Sequence, residues 1–233
     1  GQELEQLLQR MADPNTRIVT LTVTEKGYYL DLATGKLQIN APAIAADLAS
    51  PATPKTILGL IVQALKARKA KGIKPFTVMS CDNLPNNGKL AKAAVLAFAR
   101  EADADLASWI EANVCFPCTM VDRITPRATD ATWQAVQDEQ GVDDPAAIGT
   151  EPFSEWVLAG DLKGQVPDWA SAGAVFVDDV VPHELRKLWL LNGAHSLMAY
   201  AATIIGRPTV YEAISGTRAG VRWAARDARL SCA

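Results

Sequence analysis

Residues 17–24 read RIVTLTVT, and residues 54–80 read PKTILGLIVQALKARKAKGIKPFTVMS. The first stretch alternates β-branched and apolar residues, the composition of a buried strand. In the second, Ile57, Leu58, Ile61, Val62 and Leu65 recur at helical spacing. Thr53 offers an N-cap to this helix, and Pro54 suits its first position. The basic run from Lys66 to Lys71 and the following Gly72 suit its end, where the helix dipole draws positive charge and glycine accepts a left-handed turn. Phe76 to Ser80 returns to strand composition. Strand, helix and strand in this order predict parallel strands joined by a crossover helix.

Outward from this unit the alternation continues. Glu3 to Met11 reads as the end of a helix, and Asp13-Pro14-Asn15 as a turn. A short helix is expected over Ala41 to Ser50, a polar loop over Cys81 to Gly88, and helices over Lys89 to Arg100 and Leu106 to Asn113. Met120 and Val121 form an extended segment ahead of Asp122 and Arg123. Past Pro126 the texture changes. A short amphipathic helix is expected over Thr129 to Gln140, strands over Pro152 to Leu158 and Gly173 to Asp179, and a long apolar helix over Pro182 to Ile205. The expected class is α/β with a parallel sheet.

Bulk properties exclude several functions. The chain has 233 residues, 49% of them hydrophobic, enough for one large or two modest packed domains. The net charge is -3, and no basic stretch interleaves with aromatics, which argues against nucleic acid as a partner. No apolar run reaches the roughly 18 residues of a membrane span, and residues 1–25 carry no signal-peptide pattern. Four cysteines, at 81, 115, 118 and 232, do not make a disulfide framework in a chain this long, so reduced thiols in the cytoplasm are expected. Cys115 and Cys118 have CxxC spacing, but Cys81, Cys232, His183 and His195 offer no second tight pair for zinc. Extended residues follow Cys118 where a redox motif would place a helix, so both cysteines are read as packing residues. No G-x-G-x-x-G follows the first strand, and there is no P-loop.

Four segments carry candidate chemistry. Residues 182–195, PHELRKLWLLNGAH, place Glu184, Lys187, Asn192 and His195 on one helix. At about 100° per residue, with Lys187 at zero, Glu184 falls near 60°, His195 near 80° and Asn192 near 140°. Leu185, Trp189 and Leu197 take the opposite side, fit for a core. A buried lysine shifts toward neutrality and can then take a proton from an alcohol. An asparagine beside it can hold an alkoxide. The same stripe also reads as a solvated groove. Residues 77–88, TVMSCDNLPNNG, follow a strand's C-terminal end, where ligands bind in open α/β sheets. An ordinary Asn/Gly turn explains them equally well. Residues 22–27, TVTEKG, stand at another strand end, with Glu25 either a relay or ribose contact or a plain loop charge. The pair Asp122-Arg123 is open between an ion pair and a substrate contact.

Read together, RIVTLTVTEKGYY, PKTILGLIVQALKARKAKGIKPFTVMSCDNLPNNG, FPCTMVDRITP, EPFSEWVL and VDDVVPHELRKLWLLNGAHSLMAY resemble the long-chain mannitol dehydrogenase family, in the family's order and over roughly residues 10–214. The resemblance implies a partial Rossmann-type domain over residues 1–180, the first helices of an all-α substrate domain over 181–214, and an atypical tail over 215–233. It implies a metal-independent oxidoreductase using NAD or NADP on a polyol, ketose or hexuronate, with mannitol/fructose and mannonate/fructuronate as the two substrate pairs. Lys187 matches the catalytic base. Asn83 and Asn192 match the pair that hold the reacting oxygen, and His195 the substrate-positioning histidine. Glu184 matches a glutamate that gates proton release, and Asp122 a residue near the substrate hydroxyls. Thr24, Glu25 and Asn83 fall beside the nicotinamide. The family's Gly-rich loop and selecting acid have no counterpart here, and GTRAGVRWAARDARLSCA (216–233) stands where relatives continue as helices. The chain is thus expected to be the middle portion of such an enzyme. An inactive fragment or scaffold is the alternative.

Overall fold

The computed structural model describes residues 2–31, 34–160, 162, 166–204, 206–209 and 212–213. The tail at 215–233, Cys232 and Ile205 lie outside these residues. The chain divides into two compact units, with the division between Val180 and Val181.

The first unit opens with α1 (Gln2–Ala12), β1 (Ile18–Leu21), a single helical turn α2 (Thr24–Gly27) and a hairpin of β2 (Leu30–Asp31) and β3 (Lys36–Leu37). Next come α3 (Pro42–Ala49), α4 (Ile57–Ala70) and β4 (Thr77–Ser80). β1 and β4 pair in parallel, Ile18 opposite Thr77 through Leu21 opposite Ser80, with α4 in the crossover, as the two quoted stretches predict. β1 is shorter than expected. The ladder stops at Leu21, and Thr24 turns left-handed at φ 61°, a conformation no strand continues through. The hairpin was not expected from the sequence.

The cap of α4 also differs. Thr56, not Thr53, is the N-cap, and its side chain accepts from the Gly59 N–H at 3.1 Å. The cause lies nine residues upstream. The buried Asp47 carboxylate accepts from Lys55 N–H, Thr56 N–H and the Thr56 hydroxyl at 2.8, 2.8 and 2.7 Å, fixing the chain there so that the helix starts one residue later.

The unit continues with α5 (Asn87–Ala102), α6 (Ala104–Asn113), β5 (Cys118–Asp122), α7 (Asp130–Gln140), β6 (Glu155–Ala159) and β7 (Val175–Val177). The polar loop after β4 ends at Asn86, and α5 begins two residues before the expected Lys89. β6 lies between β5 and β7, antiparallel to the first and parallel to the second, so this sheet is mixed where uniform parallel pairing was expected. The main core gathers Ile44, Leu58, Ile61, Leu65, Phe76, Val78, Ala91 and Ile110 between the helices and the β1–β4 pair. Full burial of each large apolar side chain contributes about 1.5–3 kcal/mol. α7 buries none of its residues.

One buried cation organises the N-terminal end of this core. Arg68 on α4 is 1% exposed and lies over the Phe76 ring, 4.9 Å from its centroid. Its guanidinium donates to the carbonyls of Met11 (2.8 Å), Lys74 (2.7 Å), Thr16 (2.6 Å) and Asp13. Four hydrogen bonds from one planar group thus reach carbonyls at the end of α1, in the turn before β1 and in the loop before β4. Arg68→Ala takes the donor away from four carbonyls, three of them in part-buried bonds. We expect it to cost about 3–5 kcal/mol, read as a lower urea midpoint at unchanged slope. A loss within about 0.5 kcal/mol would show that water replaces the guanidinium freely.

Candidate active site

The carboxyl ends of β1 and β4 stand side by side, because Leu21 and Ser80 are register partners. Two loops therefore leave the same sheet edge: TVTEKG after β1 and CDNLPN after β4. A buried polar network joins them. Asp82, 7% exposed, accepts from the Thr24 N–H at 2.6 Å through Oδ1, and from the Tyr28 hydroxyl at 2.6 Å through Oδ2. The Tyr28 oxygen also lies 2.7 Å from Ser80 Oγ. Burial first, and then the bond to Asp82, push the Tyr28 hydroxyl well above its ordinary value of 10.0, which keeps it a donor.

Asn87 extends the network to β5. It is fully buried at the start of α5, and its Nδ2 donates to the Asp82 carbonyl at 2.9 Å and the Thr119 carbonyl at 2.8 Å. Its Oδ1 accepts from the Thr119 N–H at 2.9 Å. The Thr119 hydroxyl donates to the Ser80 carbonyl at 2.7 Å. Gly88 permits this closeness. A Cβ there would run into the Pro117 carbonyl and come within 2.7 Å of Cys118 N. Cys115 and Cys118 are buried cysteines, in keeping with packing residues. Burial pushes the Cys81 thiol upward, partly opposed by its hydrogen bond to Thr119. Among the described residues no group of three or more His, Cys, Asp or Glu side chains is placed to hold a metal ion, and no helix is long and apolar enough to cross a membrane.

The expected site residues of this unit fall around that network. Thr24 and Glu25 are exposed in α2, and Asn83 is exposed directly after Asp82. Asp122 ends β5, half-buried. The structure thus brings Thr24, Glu25 and Asn83 to one edge through Asp82. Asp82, Tyr28, Ser80, Asn87 and Thr119 were missed by the sequence reading. The one available signal was Asp82's position beside Asn83 at a strand end. Its partner Tyr28 lies 54 residues away, beyond any local pattern.

The second unit holds the other candidates. Its helical run consists of α8 (Val181–Arg186), a π turn (Lys187–Asn192) and α9 (Gly193–Ile204). The Gly193 N–H bonds to the Leu188 carbonyl, five residues back. This alters the expected arc. An i→i+5 turn advances roughly 80° per residue, which brings Asn192 within about 50° of Lys187 instead of about 140°. His195 and Glu184 then fall within a stripe roughly 70° wide with them. All four are half-buried. The expected core face is corrected. Leu185, Trp189 and Leu197 are 39%, 69% and 39% exposed, and Ala202 is the one buried residue of α9.

Parallel strands joined by a crossover helix, with polar groups gathered at their carboxyl ends, define an α/β domain of the dinucleotide-binding kind. A family model, the mannitol dehydrogenase Rossmann domain, matches residues 1–171, and the chain belongs to the mannitol dehydrogenase family. It is 52% identical over 211 residues to a D-mannonate oxidoreductase of Escherichia coli K12, covering 91% of this chain and 43% of that protein. It is 43% identical over 209 residues to a mannitol 2-dehydrogenase of Cereibacter sphaeroides, covering 90% and 43%. A Pseudomonas fluorescens mannitol 2-dehydrogenase, solved as a ternary complex with NAD and D-mannitol, superposes with TM-score 0.82 at 45% identity, over 91% of this chain and 43% of that one. The chain thus spans less than half the length of these relatives.

Two outcomes test the network. Tyr28 holds its proton in the folded chain when the unfolded chain would lose it. Its contribution to stability is therefore full below pH 10.0 and is lost as the pH climbs toward the folded value. Unfolding free energy should fall less steeply between about pH 9 and 11 in Tyr28→Phe than in wild type, and equal slopes would count against this burial. Gly88→Ala should cost about 1–3 kcal/mol in thermal melts, since the added methyl must push α5 off the Pro117–Cys118 backbone. An unchanged melting temperature would mean that this approach is slack.

Proposed function

We propose that this chain supplies the nicotinamide-facing half-sheet and the catalytic helix of an NAD(P)-dependent oxidoreductase, one that interconverts a sugar alcohol or hexonate and its 2-keto form. The family membership supports the class of reaction. The observation that carries the residue assignment is the π turn, which draws Glu184, Lys187, Asn192 and His195 into one narrow stripe. π turns of this kind recur at functional sites.

In this reading Lys187 is the general base that takes the hydroxyl proton of the substrate. Asn192 donates its amide to the oxygen as negative charge develops there. His195 orients the substrate, and Glu184, one turn before Lys187, passes the proton onward. In the first unit, Asn83 supplies an amide donor toward the reacting oxygen and the cofactor, and Asp122 accepts from a substrate hydroxyl. Thr24 and Glu25 face the nicotinamide. The chemistry of this donor set fits such a group: a hydroxyl, a carboxylate and an amide, all exposed at the carboxyl edge of two parallel strands, match a polar carboxamide. The bound cofactor would accept hydride from the carbinol carbon. No metal enters, because the lysine and the amides supply the charge that the alkoxide needs. Cys81, Cys115 and Cys118 as reduced thiols support a reducing compartment, the cytoplasm.

The test uses the intact polypeptide with mannitol, arabinitol and mannonate against NAD+ and NADP+. Lys187→Ala should lower kcat by about 10²–10⁴-fold. Calorimetric NADH affinity should stay within about threefold, because an interaction made only in the transition state leaves ground-state binding alone. Wild-type turnover that survives in Lys187→Ala would remove the lysine from the mechanism. Absence of turnover on all three substrates would favour a scaffold in place of an enzyme.

A further inference from the structure

Thr24 is a β-branched residue at φ 61°, in a region such residues rarely occupy. Its side chain is exposed, and so is that of Glu25, so the strained backbone serves no packing. A backbone outlier persists only when its surroundings over-determine it, and such outliers cluster at functional sites. Here the determinant is a single carboxylate. Asp82 Oδ1 takes the Thr24 N–H at 2.6 Å. Asp82 Oδ2 is fixed by the Tyr28 hydroxyl at 2.6 Å. The Asp82 backbone is fixed separately, its carbonyl receiving Asn87 Nδ2 at 2.9 Å.

Both carboxylate oxygens are thus engaged as acceptors inside the protein, and the side chain is nearly closed to solvent. Asp82 accepts there from one backbone N–H and one hydroxyl, both within the protein. The residue after it is Asn83, and the residue after Thr24 is Glu25. One buried group therefore sets two exposed loops that leave adjacent strands.

We propose that Asp82 is a positioning residue for the reaction given above, on which this inference rests: it pins the left-handed Thr24 turn to the Asn83 loop, so that the two loops present their polar groups in one fixed arrangement. Tyr28 is its anchor. It keeps the carboxylate turned toward Thr24 from the side away from solvent.

The experiment compares wild type, Asp82→Ala, Asp82→Asn and Tyr28→Phe in the intact polypeptide. It reads kcat and KM for polyol oxidation, the melting temperature, and hydrogen exchange of peptides covering residues 22–29 and 80–86. Asp82→Ala should lose about 100-fold in kcat/KM, the scale of a displaced catalytic group, with faster exchange in both peptides. Asp82→Asn keeps an oxygen for the Thr24 N–H and should return to within about tenfold of wild type, with exchange slowed again. Tyr28→Phe should lose about tenfold while staying folded, and it carries the test if Asp82→Ala does not fold.

The proposal is overturned if folded Asp82→Ala keeps wild-type kinetics. It is also overturned if Asp82→Asn is as impaired as Asp82→Ala at the same melting temperature, since charge and not hydrogen-bond geometry would then matter. Wild-type inactivity would instead sink the proposed function. Exchange at residues 22–29 then decides alone whether Asp82 holds Thr24, and unchanged protection in Asp82→Ala would reject it.

Discussion

A threonine does not hold a left-handed backbone without help, and in this chain the help is one carboxylate. Asp82 gives Thr24 the acceptor that its N–H would otherwise lack at the end of β1, and the turn that follows depends on it. The carboxylate depends in turn on Tyr28 and Ser80, and its backbone on Asn87 and Thr119. Every strand that reaches this edge contributes: β1 through Thr24 just beyond it, β4 through Ser80, β5 through Thr119. Removing the network would leave the β1–β4 ladder intact but free the loops above it. A sheet fixes strands to within a residue, whereas chemistry needs side chains placed within a fraction of an ångström. The buried polar layer closes that difference.

A different device serves the same end in the second unit. An α-helix spreads residues i and i+5 about 140° apart, so Lys187 and Asn192 would diverge. The π turn costs helix regularity and returns them to one side. The apolar residues around it, Leu188, Trp189 and Leu190, are 49%, 69% and 40% exposed, so local packing does not explain the turn. An irregularity with no packing return, placed under four polar residues, is the pattern expected where geometry is selected for use.

Much of the fold was legible in short-range pattern. RIVTLTVT, the α4 stripe and FTVMS announced a parallel pair with a helix between, and β1, α4 and β4 form it. What failed was set by contacts distant in sequence. Thr53 lost the cap of α4 to Thr56 because Asp47 reaches across from α3. The β1 ladder ended early because Asp82 captured Thr24. The antiparallel β5–β6 pair follows a long excursion through α7, whose own helical pattern says nothing of the direction in which the chain returns. The candidate site was legible as residue types at strand ends. The groups that orient those residues were not, because Tyr28, Asn87 and Thr119 look like ordinary positions until the chain is folded. The helix at 181–204 was legible as a helix, but its π turn was not. No residue type codes for a sixth residue per hydrogen-bonded turn, and the exposed Leu185, Trp189 and Leu197 followed core composition into a face that is open in the described chain.

Two of the buried charged side chains of the first unit, Arg68 and Asp82, solve the same problem in opposite ways. Arg68 makes four hydrogen bonds to backbone carbonyls at the core's far end, with Phe76 beneath it. Its partners lie at the end of α1 and in the loops that precede β1 and β4, so the group ties together segments at the end of the strands opposite the candidate site. Asp82 takes its bonds from a strained residue and from a tyrosine 54 residues away, and the two loops it joins end in exposed polar side chains. Desolvating a carboxylate is costly, and a well-packed apolar residue often stabilises a core at least as well. A protein that keeps this carboxylate there gains conformation: the two loops that carry the exposed Thr24, Glu25 and Asn83 are tied together at one sheet edge. The exposed residues of this edge therefore depend on Asp82, the buried group that orders both loops.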